Sequence, residues 1–260
     1  MLKPFRYFVA PALTLSALLL VNAPVSARDI EQSFSAKAGD ELYLRTDSGS
    51  IEILTHNDNS IDVSVSVEGK NEDDFNVSFD ENSDGLKIIG ERDSQMGWSN
   101  LRVKFSVTVP KEYDLRLDTA GGKIYVDDLI GDIDARTSGG SIEVGSVKGD
   151  VELHTSGGSI STDDIEGEID AHTSGGSISV TFARQPAADA SLTTSGGSIT
   201  ARLPADVKLD IDASTSGGRV KSEFDIDGRV KKQSIRGKIN GGGPELELHT
   251  SGGSIRVNKI

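Results

Sequence analysis

The sequence contains no cysteine, so no disulfide, thiolate metal site or lipid-modified cysteine is available to it. Aromatic residues are only 5 % of the chain and proline occurs 7 times, which leaves few large side chains to fill one bulky core. After residue 27 no apolar run is long enough to cross a bilayer as a helix, and no stretch repeats with helical periodicity. Positive charge is scarce too. With 27 Lys and Arg against 41 Asp and Glu, the net charge is −14, a balance that opposes general binding to nucleic acid or anionic lipid and favours solubility. Glycine, in contrast, is abundant at 29 residues, the composition of a chain built from many tight turns.

The N-terminus carries Lys3 and Arg6, an apolar run from Phe8 to Val21, and then Ala23-Pro24-Val25-Ser26-Ala27. A basic start, a short apolar core and a Val-x-Ala ending read as a secretory signal over residues 1–27, cut after Ala27. The alternative, an uncleaved anchor, needs a longer run than this one. Cleavage removes two cations and no acids, leaving 25 basic against 41 acidic residues. The expectation is therefore an exported protein of the periplasm, the cell surface or the secreted fraction, which after cleavage is not integral to the membrane.

From residue 137 the hexapeptide Thr137-Ser138-Gly139-Gly140-Ser141-Ile142 returns nearly unchanged at Thr155, Thr173, Thr194, Thr215 and Thr250, preceded by a degenerate copy at Thr119. The starts at 119, 137, 155 and 173 are each 18 residues apart, the next two steps are 21, and the last is 35. A period near 20 marks a solenoid, whose units are too small to bury an apolar face alone and must stack. Written as columns, the residues four before each Thr (Leu115, Ile133, Val151, Ile169) and two before it (Leu117, Ala135, Leu153, Ala171) are apolar. So are those five after it (Ile124, Ile142, Ile160, Ile178) and, in the regular coils, ten after it (Leu129, Val147, Ile165). Second turns fall at Gly131-Asp132, Gly149-Asp150 and Gly167-Glu168. An antiparallel meander would leave its apolar face uncovered, because no helix is present to cover it. The columns favour an all-β fold, a parallel β-helix or solenoid with coils of about 18 residues, right-handed by the general crossover preference.

Residues 28–112 are β-rich but irregular. Alternation at Ile61, Val63, Val65 and Val67, at Phe75, Val77 and Phe79, and at Val103, Phe105, Val107 and Val109 predicts strands with one buried face. Asp47-Ser48-Gly49-Ser50-Ile51 is a faint early version of the repeat. Trp98, the one tryptophan, sits in a polar break and reads as a ring folded over a strand edge rather than a ligand platform. Residues 113–260 carry the solenoid repeats, interrupted over 225–243 by a stretch without the motif. That stretch holds Arg229, Lys231, Lys232, Arg236 and Lys238, and reads either as a degenerate coil or as a projecting basic hairpin. Its cations either offset neighbouring acids or form a partner-binding patch.

Specific chemistry is thin. The column before each Thr places His154 and His172 on adjacent rungs, beside an acidic ladder of Asp134, Glu152 and Asp170. Two imidazoles with Glu152 and Asp170 are the residue types of a metal site, but on a flat exposed wall nothing orients them. A solvent face, where Arg116 offsets Asp134 and Asp118 offsets Arg136, accounts for the same residues. The calcium β-roll motif is not matched, because Gly139-Gly140-Ser141-Ile142-Glu143-Val144 lacks its later Gly and Asp. An ice-binding face requires outward Thr columns, whereas here each Thr shares parity with the apolar positions and so points inward or caps the turn. No nucleophile triad, phosphate loop or dinucleotide motif is present, and no catalytic residue, cofactor or metal is assigned.

The recurring Thr-Ser-Gly-Gly-Ser-Ile units with their Gly-Asp turns, following a β lead-in that ends at Val109-Pro110, resemble the bacterial putative-adhesin family of β-strand repeat proteins, the group related to head GIN adhesin-like domains. The resemblance implies a β-solenoid in the cell envelope or outside the cell and supplies no catalytic residues. The resulting expectation is a non-enzymatic scaffold presenting repeated polar faces to a glycan or an envelope protein. Two alternatives stand beside it: a polysaccharide-cleaving β-helix enzyme, and a structural or envelope-stress regulatory protein. The ligand, the binding face and the oligomeric state are left open by the sequence.

Overall fold

The computed structural model describes residues 27–69, 72–93 and 101–260; the expected signal segment up to residue 26 and Trp98 lie outside the described residues. Alternating apolar residues form strands that assemble into an 11-stranded and a 12-stranded sheet sharing one hydrophobic core. The fold is all-β, with mostly parallel pairing between successive coils. Ile133 pairs with Val151 and Val151 with Ile169 in one sheet, while Ile124, Ile142, Ile160 and Ile178 form one continuous row in the other. A third corner is made where Leu129–Ile130 pairs with Val147–Lys148 and Val147 bridges to Ile165. Stacking like on like in this way gives each thin coil the buried apolar surface it lacks alone.

The repeat threonines point inward. Thr155 and Thr173 are fully buried, and each hydroxyl ties two turns together. Thr155 Oγ1 donates to Gly140 O of the neighbouring coil at 2.8 Å and accepts from Gly158 N of its own turn at 3.3 Å. Thr137, Thr173, Thr194, Thr215 and Thr250 repeat the pattern. A buried hydroxyl without partners would be costly, so these paired bonds are the condition for a polar residue in the core. A second, outer ladder runs through the turn serines, where Ser159 N donates to Ser141 Oγ, and Ser177 N to Ser159 Oγ, both at 3.2 Å.

The lead-in is part of the same stack. Strand Glu41–Thr46 pairs with both Asp114–Thr119 and Gly85–Arg92, and Ser50–His56 with both Ile124–Val126 and Arg102–Pro110. Thr46 is buried and opposite Thr119, so Thr46-Asp47-Ser48-Gly49 joins the row of repeat turns, although its hydroxyl donates to Ser48 O of its own turn at 2.8 Å and not to a neighbouring coil. The coil 41–56 thus lies between strands Gly85–Arg92 and Arg102–Pro110 on one side and coil 114–126 on the other, all of which follow it in sequence. Antiparallel strands close this end: Ser60–Glu68 and Ala27–Ser35 in one sheet, Phe75–Asn82 in the other.

The far end is also out of chain order. The step of 35 residues before Thr250 is not two successive coils. The coil 209–222 stands two rungs away from coil 190–203, and strands Glu245–Thr250 and Ile255–Lys259 form the rung between them, pairing in parallel on both sides. Residues 225–243 form a hairpin, with Asp227–Val230 antiparallel to Ser234–Ile239, which adds to the edge of the 12-stranded sheet along Leu209–Thr215.

Tyr113 carries a prediction of its own. Its ring is buried, its hydroxyl finds no hydrogen-bond partner, and burial together with Asp40, Glu41 and Glu81 pushes its pKa up to about 12. The hydroxyl therefore contributes nothing that phenylalanine would lose, and Tyr113→Phe should be neutral or up to about 1 kcal/mol more stable in urea unfolding near neutral pH. Below the ordinary tyrosine value of 10.0 the folded and unfolded chains hold the same proton. As pH rises from there towards about 12, the unfolded chain releases it first and stability falls. Unfolding midpoints measured through that interval should decline less in Tyr113→Phe than in the parent.

Candidate functional site

The 12-stranded sheet turns one face to the core and the other to solvent, and period-two alternation sends every second side chain outward. Register then sets Arg116, Asp134, Glu152, Asp170 and Ser191 in one outward row, and Asp118, Arg136, His154, His172 and Thr193 in the next. Beside them, at the turn, run Asp114, Asp132, Asp150 and Glu168. Together the turn row and the acidic row line an open trough of about 510 Å³.

The turn carboxylates are structural. Asp132 N donates to Asp114 Oδ1 at 2.9 Å, Asp150 N to Asp132 Oδ1 at 2.8 Å, and Glu168 N to Asp150 Oδ1 at 2.9 Å. Each acid caps the backbone of the same position one coil on, a charge-assisted bond that locks the coil spacing. The turns are visible in the sequence without this role, whose one signal there is the recurrence of an acid every 18 residues at 114, 132, 150 and 168.

The outward acids differ from one another. Arg136 reaches Asp134 at 3.2 Å and Glu152 at 2.6 Å, and Arg116 lies 3.9 Å from Asp134. Arg136 is thus ion-paired with Asp134 and Glu152, and Asp118, its register partner, adds to the negative charge around it. Partial burial and the neighbouring Glu152 raise the Asp134 pKa against the pull of Arg136, whereas the Glu152 hydrogen bond raises that of Arg136. Asp170, further along, is exposed and open to contact.

His154 and His172 are adjacent, as the spacing predicts, with ring centroids 4.9 Å apart and planes 18° from parallel. An imidazole nitrogen offers its lone pair in the ring plane, so two nearly parallel rings do not aim at one ion. Among the described residues no group of three or more His, Asp or Glu stands where a metal could be held. The basic stretch divides as well. Arg236 is ion-paired to Asp212, and Lys238 stands opposite Asp210 in the antiparallel pair. Arg229, Lys231 and Lys232 are exposed on the hairpin rim, beside Val230, whose side chain is 60 % exposed.

No helix among the described residues is long and apolar enough to cross a membrane. No curated protein matches the chain. Among solved structures, a putative cell adhesion protein from Clostridium sporogenes aligns over 90 % of this chain and 100 % of its own, with 10 % identity and a TM-score of 0.44. A putative adhesin from Bacteroides fragilis covers 90 % and 97 % at 15 % identity and TM-score 0.32. A putative lipid binding protein from Parabacteroides distasonis covers 89 % and 96 % at 14 % identity and TM-score 0.35. The family model described as Toastrack DUF4097 matches twice, over residues 39–168 and 146–258, so that between them the two matches run from the turn at Thr46 to the coil at Thr250. The chain belongs to the Toastrack DUF4097 family.

Proposed function

We propose that this chain is a non-enzymatic binding scaffold of the cell envelope or the exterior, which holds a linear array of polar side chains against a glycan. The observation that carries the reading is the registered wall: Asp134, Glu152 and Asp170 in one row, and Arg136, His154 and His172 in the next, each one rung from its neighbour. Rungs stand about 4.8 Å apart, so a polymer that repeats along its length meets the same acceptors and ring edges again at each step. Carboxylates and imidazoles both hydrogen-bond hydroxyl groups, and the ladders beneath them keep the array from rearranging. An envelope protein pairing with the same wall is the second partner class, and an outcome of the test.

The test is retention of residues 28–260 on immobilised envelope polysaccharide and, separately, on envelope protein fractions. Expected is saturable retention on polysaccharide that drops at least several-fold in a Glu152→Ala, Asp170→Ala, His172→Ala triple variant whose melting temperature is unchanged. Retention on protein alone would replace the glycan with a protein partner. Equal retention of the triple variant would remove this wall from consideration, and turnover of the polysaccharide would overturn the non-enzymatic reading.

A further inference from the structure

The last rung is reached through Asn240-Gly241-Gly242-Gly243-Pro244, three glycines between an asparagine and a proline. Asn240, Gly241 and Gly242 have φ of 49°, 97° and 87°, three successive residues in the left-handed region. One side chain holds it, Asn240, whose Nδ2 donates to Ala205 O at 3.2 Å and Val207 O at 2.8 Å, and the three glycines that follow have a backbone that is readily rearranged. What it delivers is a coil lodged between two others. Leu246, Leu248, Thr250, Ile255 and Val257 of that rung are buried, and its backbone pairs in parallel with coil 190–203 on one side and coil 209–222 on the other. The threonine staples also run through it: Thr250 Oγ1 donates to Gly197 O at 2.8 Å, and Thr215 Oγ1 to Gly253 O at 2.7 Å.

We propose that residues 245–260 are an exchangeable rung, and that the slot between coils 190–203 and 209–222 accepts this segment from a second copy of the chain. Three physical points meet here. The slot is formed by residues that precede its occupant in sequence, so the occupant enters a space whose walls belong to the rest of the chain. Its side chains match the slot column by column, and every copy carries the same columns, so a donated rung remakes each contact that its own would make. Leaving the slot without exchange exposes four buried aliphatic side chains and the four strand edges of the slot walls, which makes the vacated monomer costly. The exchanged dimer differs from the closed monomer chiefly in the hinge and in the entropy of association.

The absence of cysteine makes the test clean. Thr193 and His249 are direct register partners across the slot wall, on the outward side, at a strand separation a disulfide can span. A full-length chain carrying both Thr193→Cys and His249→Cys, oxidised at high dilution, should cross-link within itself, which establishes that the pair is competent. Full-length Thr193→Cys and His249→Cys single variants are then mixed, unfolded, refolded together at high concentration and oxidised. Exchange yields a 193–249 disulfide between chains, several-fold more abundant than in a mixture of His249→Cys with Asp118→Cys, whose position lies far down the same row. Gly241→Val, which strains the left-handed hinge of the closed form, should raise that yield several-fold. Linkage no greater than in the Asp118→Cys control, or only 193–193 and 249–249 products, would show that the rung stays within its own chain. A 193–249 yield that Gly241→Val fails to raise would overturn the hinge's part in it.

Discussion

Replacing Gly158 by alanine is expected to cost about 3 kcal/mol or more of folding stability, whereas Gly157→Ala, one residue earlier, should be neutral or stabilising by about 0.5 kcal/mol. The two glycines look equivalent in the repeat and are not. A Cβ on Gly158 would sit 2.0 Å from Gly140 O and 2.3 Å from its carbonyl carbon, both backbone atoms of the preceding coil. Relief would have to move a coil against its neighbour, opening the parallel ladder and the threonine staple at once. A Cβ on Gly157 meets nothing closer than Gly139 O at 3.5 Å, an ordinary contact, and the backbone there is not left-handed. The chain already contains the comparison: in the turn beginning at Thr46 the first glycine is replaced by Ser48, and the second is retained as Gly49. Urea unfolding of the two variants beside the parent is the measurement. A Gly157→Ala midpoint as low as that of Gly158→Ala would mean that the turn needs glycine for its flexibility and not for the approach of the preceding coil.

Thr155→Val is expected to lose about 2–3 kcal/mol, more than the roughly 1 kcal/mol of Thr155→Ser. Valine keeps the shape and removes the hydroxyl, leaving Gly140 O and Gly158 N inside the turn without their partner. Serine keeps the hydroxyl and removes one buried methyl group. If folding here were driven by aliphatic packing alone, the order would reverse. Thermal and urea midpoints of the pair decide it, and the same ranking should appear at Thr173, which is as deeply buried and bonded in the same way.

Much of this architecture is legible in the letters. Thr137, Thr155 and Thr173 share parity with Ile133, Val151 and Ile169, which places them on the inner face, and the 18-residue step sets His154 beside His172. Other features escape a linear reading. The early copy of the repeat at Asp47 to Ile51 is visible in the sequence, but its coil is separated from the next similar one by strands of different length, so no period shows that Thr46 stacks on Thr119. The carboxylates of Asp114, Asp132 and Asp150 look like a solvent-facing row until their oxygens are seen to accept the backbone of the next coil. The basic residues 229–238 read either as offsets to neighbouring acids or as a patch, and the letters do not say which cation does which: Arg236 is taken up by Asp212 while Arg229, Lys231 and Lys232 stay at the rim.

By itself the sequence determined what each position does within a coil: which residues face inward, where the chain turns, and which column each side chain joins. Those properties follow from alternation and from the steric demands of glycine, and both act within a few residues. The tertiary structure alone decided the order of the coils, placing 41–56 beneath 114–126 and slipping 245–259 between 190–203 and 209–222. Because every coil offers nearly the same columns, any one stacks acceptably on any other. The choice among neighbours rests on connections and end-capping strands that no single repeat encodes.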